Sequence, residues 1–269
     1  MSDAPYAYFT VRVLGSERLT PSMVRVTFGG DDVARMASAG RDQRIKLLLP
    51  HPGQDEPVVP DAAEADWYTA WRALDPDVRG VMRTYTVREL RRDPDELIVD
   101  FALHGDLGPA SRWAQLAPVG APIGVLAPVG EENAGYDFRP PEDSEWVLLT
   151  GDESAIPAVA GILESLPEAV PARVWIELRD PADRQELPAR PGDEIVWLTG
   201  HGTTADAIRS AALPPGPSYA WIAGESATVR AVRRHLVGER GLDRRRVKFS
   251  GYWRAGASET DLQNKNEAA

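Results

Sequence analysis

The stretch Arg83-Thr-Tyr-Thr-Val-Arg88 decides how the first half of this chain folds. Its β-branched and aromatic residues, set among apolar neighbours, are typical of a strand. Side chains alternate between the two faces of a strand, so Arg83, Tyr85 and Val87 are predicted to share one face. That face offers a cation close to an aromatic ring, which suits a ligand with a negative group and a flat ring, such as a flavin nucleotide. The alternative is an ordinary half-buried strand with an exposed arginine.

The composition is that of a globular protein. Hydrophobic residues make up 43% and charged residues 26% of 269 residues, a length that suits one large domain or two moderate ones. No apolar run approaches the ~18 residues that a membrane span needs, and the first residues lack a secretory signal pattern. The absence of cysteine excludes disulfides, a thiol nucleophile and cysteine-ligated metal. We therefore expect a soluble cytoplasmic protein without membrane insertion.

The charge argues against a nucleic-acid binder. Thirty Lys and Arg face 41 Asp and Glu, for a net charge of −11, whereas nucleic-acid binding normally needs a basic excess. Residues 230–254 are nevertheless strongly basic. That segment is interpreted as a solubilising helix face, with docking of an anionic ligand as the alternative.

The first 140 residues are predicted to form a β domain. Six short runs rich in β-branched and aromatic residues, separated by turn signals, indicate a closed antiparallel barrel. The polar stretch 50–80, which carries three large aromatic residues, is predicted to be a long loop with one helical turn. The predicted strands are residues 8–14, 23–28, 45–49, 82–88, 97–104 and 123–127.

A different pattern follows a proline-rich bridge at residues 138–143. Short apolar runs now alternate with helical segments, which indicates βαβ units and a parallel sheet. The predicted domains are 1–140 and 141–256, followed by a polar tail, 257–269. The predicted strands are 145–150, 172–179, 194–199, 219–223 and 247–253, and the predicted helices are 155–166, 204–212 and 227–240.

Residues 104–114 contain a candidate phosphate site. The segment follows a predicted strand and opens a helix in which Ala110 and Ser111 are small enough to expose their backbone amides. The N-terminus of a helix concentrates unpaired N–H groups and partial positive charge, which binds phosphate. The alternative is a helix cap without a ligand.

Two further segments lie at predicted strand ends in the α/β domain, where open sheets bind ligands. Residues 150–155 lack the G-x-G-x-x-G fingerprint, and no clear acidic residue about 20 positions on marks a ribose partner. Asp152 then either faces a nucleotide or complements a helix dipole. In residues 251–256, Tyr252 and Trp253 precede Arg254, a set that either stacks on a ring and attracts an anion or closes the edge of the core.

These segments, in this order, resemble the siderophore-interacting proteins over residues 8–256. The resemblance implies a ferredoxin–NADP reductase-like fold, in which a six-stranded antiparallel Greek-key barrel binds FAD and a parallel-sheet α/β domain binds a nicotinamide nucleotide. It also implies an FAD-dependent ferric-siderophore reductase that acts in iron acquisition. Electrons would come from NADH, NADPH or a ferredoxin, and the flavin, rather than a side chain, would be the catalytic group.

The resemblance assigns roles to individual residues. It implies that Tyr85 lies against the isoalloxazine ring, that Arg83 lies near the pyrophosphate and that Val87 contributes backbone hydrogen bonds. It further implies a flavin or ribityl contact for Asp100 and His104. The remaining cofactor-binding positions that it implies are Thr86, Ala110 and Ser111 for FAD, and Thr150, Asp152, Ser154, Tyr252 and Trp253 toward the nucleotides.

The siderophore would meet basic side chains near the flavin edge. Lys46 and Arg254 match two such positions, whereas a third, in a Gly-Pro-Arg-Gly turn of the family, is replaced here by Val129. We therefore expect either fewer charge contacts with the siderophore or a substitute such as Lys248. No metal site, no nucleic-acid partner and a monomer are expected. The alternatives are a flavin reductase or diaphorase with another acceptor, and a siderophore-binding module without catalysis.

Overall fold

The computed structural model describes residues 6–62, 64, 66–103, 108–200 and 202–256. The chain divides into two compact units between Tyr136 and Asp137. The domain limits of 1–140 and 141–256 were inferred from sequence patterns alone, and they remain a prediction.

The first unit contains one antiparallel sheet of seven strands in the order β4-β3-β7-β1-β2-β6-β5. The strands are β1 (Tyr6–Thr20), β2 (Met23–Gly29), β3 (Arg44–Leu49), β4 (Val81–Thr86), β5 (Glu89–Arg91), β6 (Glu96–Ala102) and β7 (Pro122–Pro128).

This sheet is curled. Strands β4 and β5 lie at its opposite edges, yet only Val87 and Arg88 join them along the chain. The Val87 N–H donates to the Gln43 carbonyl at 2.8 Å, and the Arg88 N–H donates to the Ile98 carbonyl at 2.9 Å. The two edges therefore approach each other and enclose an apolar core of alternate side chains from every long strand.

The predicted fold class is confirmed, with two local corrections. The sheet has seven strands and not six, because β5 is a three-residue strand with two charged, exposed ends that apolar periodicity cannot detect. Strand β1 runs well past the predicted residue 14, and irregular register at Val13 and Arg18 interrupts its alternation. The predicted end of β6 at His104 lies outside the described residues.

Two helices accompany this sheet. Helix α1 (Trp67–Ala73), in the stretch predicted as a loop with a helical turn, begins at Asp66, whose carboxylate accepts from the Thr69 N–H at 3.2 Å. It packs Trp71 against Leu48 and Met82 on the outer face of the sheet. Helix α2 (Pro109–Leu116) begins with proline at its first position, where a missing N–H has no cost.

The second unit is built on a five-stranded parallel sheet in the order β10-β9-β8-β11-β12. The strands are β8 (Trp146–Asp152), β9 (Ala172–Leu178), β10 (Glu194–Thr199), β11 (Ser218–Glu225) and β12 (Val247–Trp253), and the helices are α3 (Ile156–Ser165), α4 (Thr204–Ser210) and α5 (Ser226–Arg234).

Apolar clusters cover both faces of this parallel sheet. Strand β8 is buried at all seven positions, as expected of a central parallel strand, and its uninterrupted apolar run made it predictable. The predicted helix 227–240 is shorter: α5 ends at Arg234 and a π-helical turn, His235–Glu239, follows. None of the helices within the described ranges is long and apolar enough to cross a membrane.

Candidate functional site

The cation and the ring of the opening hexapeptide lie on the core side of β4. Tyr85 packs against the apolar core, with its ring centroid 4.3 Å from that of Phe101 on β6. Arg83, two residues earlier on the same face, is half-buried, and its guanidinium donates to the Met82 carbonyl at 2.8 Å. The predicted pairing of a cation with an aromatic ring on one face is therefore present.

Aromatic rings connect β4 to helix α2. The Phe101 ring lies 6.0 Å from the Trp113 ring of α2, so Tyr85 and the helix pack against the same residue of β6. The first turn of α2 contains Ala110 and Ser111, both buried, and no described side chain caps it. Small residues at an uncapped helix N-terminus leave backbone N–H groups for an anion.

This donor set fits FAD. Arg83 supplies positive charge, Tyr85 a flat ring, and the first turn of α2 backbone donors for a pyrophosphate. Thr86 and Val87 are buried next to them, and the Val87 N–H is already engaged by Gln43. The individual roles predicted for these residues remain predictions.

Asp100 is engaged within the protein. Its two carboxylate oxygens accept from the Arg25 guanidinium at 2.7 and 2.8 Å, across the β2–β6 pair. The hydrogen bonds to Asp100 raise the pKa of Arg25. The predicted flavin contact of Asp100 is untested by this arrangement, and His104 lies outside the described residues.

Lys46 lies on the opposite face of the same sheet edge. Its Nζ donates to the Thr84 hydroxyl at 2.6 Å across the β3–β4 pair. Val129, which stands where the family has an arginine, is 45% exposed just after β7.

A cavity of about 480 Å³ opens at the carboxyl ends of β8, β9, β11 and β12. This edge is where open parallel sheets bind ligands. Gly151 and Ala223 form part of its floor, and the lining includes the charged residues Asp152, Glu153, Glu177, Glu225 and Arg179, together with Trp253.

Asp152 holds this edge together. Its Oδ1 accepts from the Ser154 backbone at 3.0 Å and the Ser154 hydroxyl at 2.5 Å, and its Oδ2 accepts from the Glu225 N–H and the Trp253 indole, both at 2.8 Å. Burial raises the pKa of Asp152 despite these hydrogen bonds. Ser154 therefore serves Asp152 in this structure.

Three other carboxylates surround the cavity. Burial also raises the pKa of Glu153, which accepts from the Arg179 N–H at 2.5 Å. Glu225 caps α5 by accepting from the Ala227 and Thr228 N–H groups, and it also lines the cavity.

Sequence reasoning missed Glu177. It is the penultimate residue of β9, is buried, and caps α4. A search for an acidic residue near the end of the second parallel strand, rather than at a fixed distance along the chain, finds it.

The other predicted positions are dispersed within the second unit. Thr150 is buried and does not line the cavity. Tyr252 packs edge-on against Trp221, with ring centroids 6.3 Å apart. Lys248 forms an ion pair with Asp137 at 2.8 Å, and Arg254 is exposed.

Comparison with known proteins assigns the family. Residues 12–132 match the family described as siderophore-interacting FAD-binding domain, and residues 144–256 match the one described as siderophore-interacting protein. The chain belongs to the siderophore-interacting protein family.

Two solved structures of siderophore proteins are similar to this chain over nearly its whole length. SipS from Aeromonas hydrophila is 28% identical, with a TM-score of 0.80 and 98% of both chains covered. A siderophore utilization protein from T. fusca is 36% identical, with a TM-score of 0.77 and 96% of both chains covered.

A curated relative carries an activity in its name. The NADPH-dependent ferric-chelate reductase of Escherichia coli (strain K12) is 32% identical over 247 residues, covering 90% of this chain and 91% of the relative. This siderophore-interacting protein is an oxidoreductase, and FAD is its cofactor.

Proposed function

We propose that this protein is a ferric-siderophore reductase, which passes electrons from a nicotinamide nucleotide through FAD to Fe(III). The observation that carries the proposal is the pair of family matches, an FAD-binding domain at residues 12–132 and a siderophore-interacting region at residues 144–256. The name of the E. coli relative, a ferric-chelate reductase, agrees with it.

The described donor set supports the flavin half of the proposal. The Arg83 guanidinium and the open first turn of α2 bind the FAD pyrophosphate, and Tyr85 orients the ring system. The FAD held by these residues would supply the chemistry that links a two-electron donor, the nicotinamide, to a one-electron acceptor, Fe(III).

The iron half calls for positive side chains, because the substrate we propose is an anionic ferric siderophore. Lys46 is the best-supported candidate in the first unit: it is half-buried, and Thr84 fixes its ammonium group. In the second unit Arg254 is exposed, whereas Lys248 already pairs with Asp137. We therefore assign Lys46 and Arg254 as siderophore contacts ahead of Lys248.

The balance of the reaction is simple. One NADH reduces two Fe(III) ions and yields NAD⁺, one proton and two Fe(II) ions. Fe(II) binds hard oxygen donors more weakly than Fe(III), so reduction loosens the chelate. The chain supplies binding, orientation and charge, and no side chain has to move a proton.

An anaerobic titration tests the proposal. The flavin band of the purified protein, near ~450 nm, is expected to bleach on adding NADH and to return on adding a ferric siderophore. Fe(II) trapped by ferrozine should appear in a ratio of two per NADH.

Other results point to the alternatives. A bleached band that the ferric siderophore does not restore indicates a flavin reductase or diaphorase with another acceptor. A protein that takes up no FAD but binds the ferric siderophore is a binding module. Either result overturns the proposal.

A further inference from the structure

Glu177 is positioned as an acidic residue at the end of the second strand of a nucleotide-binding βαβ unit. Strand β8, helix α3 and strand β9 form this unit, and Asp152 of β8 lies beside Glu177 in the parallel register. In dinucleotide-binding folds an Asp or Glu at this place accepts a hydrogen bond from the 2′-hydroxyl of the adenosine ribose.

The hydrogen bonds of Glu177 leave room for such a donor. Oε2 accepts from the N–H groups of Thr203 and Thr204 at 3.0 and 3.1 Å and from the Thr204 hydroxyl at 2.7 Å. Oε1 accepts a single described hydrogen bond, from the Gly202 N–H at 2.8 Å. A carboxylate oxygen has two lone pairs, so Oε1 can accept another hydrogen bond.

The same geometry opposes a 2′-phosphate. The backbone donors of Gly202, Thr203 and Thr204 are occupied by a carboxylate of this chain and are not directed at a ligand phosphate. A 2′-phosphate brings about two negative charges against Glu177, and repulsion between like charges at a short distance is strong in a partly buried site.

The rest of the cavity does not offset that repulsion. Among the described residues that line it, Arg179 is the single cation, and its Nε lies 3.7 Å from Glu153 Oε1. Glu153 and Glu225 line the same cavity. One arginine can serve a pyrophosphate, but the described part of the lining supplies no second cation for a further phosphate.

We propose that this protein selects NADH over NADPH and that Glu177 is the residue that determines the choice. The inference deepens the proposed function, since it rests on a nicotinamide nucleotide as electron donor. Glu177 has two roles: it caps α4 and it recognises the unphosphorylated adenosine ribose.

Binding of the oxidised nucleotides tests this directly, because no electron transfer can occur. Isothermal titration calorimetry of the FAD-loaded full chain is expected to give a Kd for NADP⁺ at least about tenfold higher than that for NAD⁺. Glu177→Gln, which keeps the size and one acceptor oxygen but removes the charge, is expected to reduce this ratio to less than about threefold.

Glu194→Gln is the matched control. Glu194 begins β10, at the amino end of a strand of the same sheet, pairs with Arg173 at 3.3 Å and does not line the cavity. This variant changes the net charge by the same amount, and its NAD⁺-to-NADP⁺ ratio is expected to stay at the wild-type value.

Three results overturn the inference. The wild-type protein binds NADP⁺ as tightly as NAD⁺, or binds neither, or Glu194→Gln reduces the ratio as much as Glu177→Gln. If Glu177→Gln fails to fold, the ratio of the Kd values for NADP⁺ and NAD⁺ in the wild-type protein still tests the proposed preference for NADH. The proposed reductase function is tested separately, by reducing the flavin with dithionite and adding a ferric siderophore: Fe(II) formed there supports the function whichever nucleotide binds.

Discussion

The indole Nε1 of Trp253 donates a hydrogen bond of 2.8 Å to Oδ2 of Asp152, which joins the ends of β12 and β8. Strand β11 lies between them in the sheet, and its Glu225 N–H donates to the same oxygen. At Gly224, with φ +123°, a Cβ would lie 2.6 Å from that oxygen, so only glycine fits there. One buried carboxylate thus holds three strand ends at the edge of the cavity.

Replacing Asp152 is expected to destabilise the protein. Asp152→Asn keeps one acceptor oxygen but turns an NH₂ group toward N–H donors, which leaves buried donors unsatisfied at a cost of about 2–3 kcal/mol. Urea unfolding measures this loss. Asp180→Asn, at an exposed carboxylate that accepts from the Ala182 N–H, should lose no more than about 1 kcal/mol. Equal losses in the two variants would contradict a special role for Asp152.

Nucleotide binding is expected to depend on pH. Burial raises the pKa of Glu153 above its ordinary value of 4.5, so this cavity carboxyl gains its charge only as the pH rises through the raised pKa. The added negative charge repels the phosphates of the ligand. The Kd for NAD⁺ should therefore increase from acidic to neutral pH, as calorimetry at a series of pH values would show. Glu153→Gln should flatten this dependence, and an equally steep profile in the variant refutes the assignment.

Arg83→Ala is expected to lose FAD during purification, because we propose that its guanidinium contacts the pyrophosphate. The measurement is the ratio of flavin absorbance to protein. Arg91→Ala is the control: Arg91 lies on β5 in exposed ion pairs with Glu89 and Glu96, so its removal should leave FAD in place. Full FAD content in Arg83→Ala removes Arg83 from the site.

Lys46→Ala is expected to raise the KM for an anionic ferric siderophore while FAD stays bound. An accessible charge contact contributes about 0.5–1 kcal/mol, which corresponds to a two- to fivefold effect. Thr84→Val separates charge from positioning, since it removes a hydrogen-bond partner of the ammonium group and keeps the lysine. Steady-state kinetics with a nicotinamide nucleotide as the reductant, in place of dithionite, give the KM for the ferric siderophore in both variants. An unchanged KM in Lys46→Ala excludes the contact.

Asp100→Asn is expected to lower stability because it leaves the Arg25 guanidinium without its carboxylate partner. The Asp100 side chain is 2% exposed and that of Arg25 is 27% exposed, so solvent compensates in part and the loss should be about 1–3 kcal/mol. Thermal unfolding of the FAD-free protein measures it. If stability is unchanged and FAD affinity falls instead, Asp100 acts on the flavin and not on the sheet.

The architecture could be predicted because apolar patterning marks most strands. Residues 194–199 and 247–253 were predicted as strands and are the observed β10 and β12. The three-residue β5 could not be predicted, because it is too short and too charged for apolar periodicity to detect, although it pairs with β6 across a short turn. The change from α5 to a π-helical turn after Arg234, within which His235 contacts Glu239, is invisible in the apolar periodicity.

The candidate site was predicted less completely. Arg83 and Tyr85 followed from alternation along one strand, which local sequence determines. Glu177 could not be predicted, because its place in the cavity depends on the strand register that sets it beside Asp152 and on its hydrogen bonds to the backbone at the start of α4. The pairing of Lys248 with Asp137 is likewise a contact between distant residues, and only the fold reveals it.

The strand order also sets when the strand that carries Arg83 and Tyr85 can be completed during synthesis. In that order the β3–β4 pair is joined to the next strand through β7, whose residues 122–128 follow about forty positions later. Until Pro128 has left the ribosome, the β3–β4 pair that carries Arg83 and Tyr85 lacks β7, the strand with which β3 pairs. The nascent chain therefore exposes an unpaired, apolar β edge over that interval, a period in which chaperones protect such edges from aggregation.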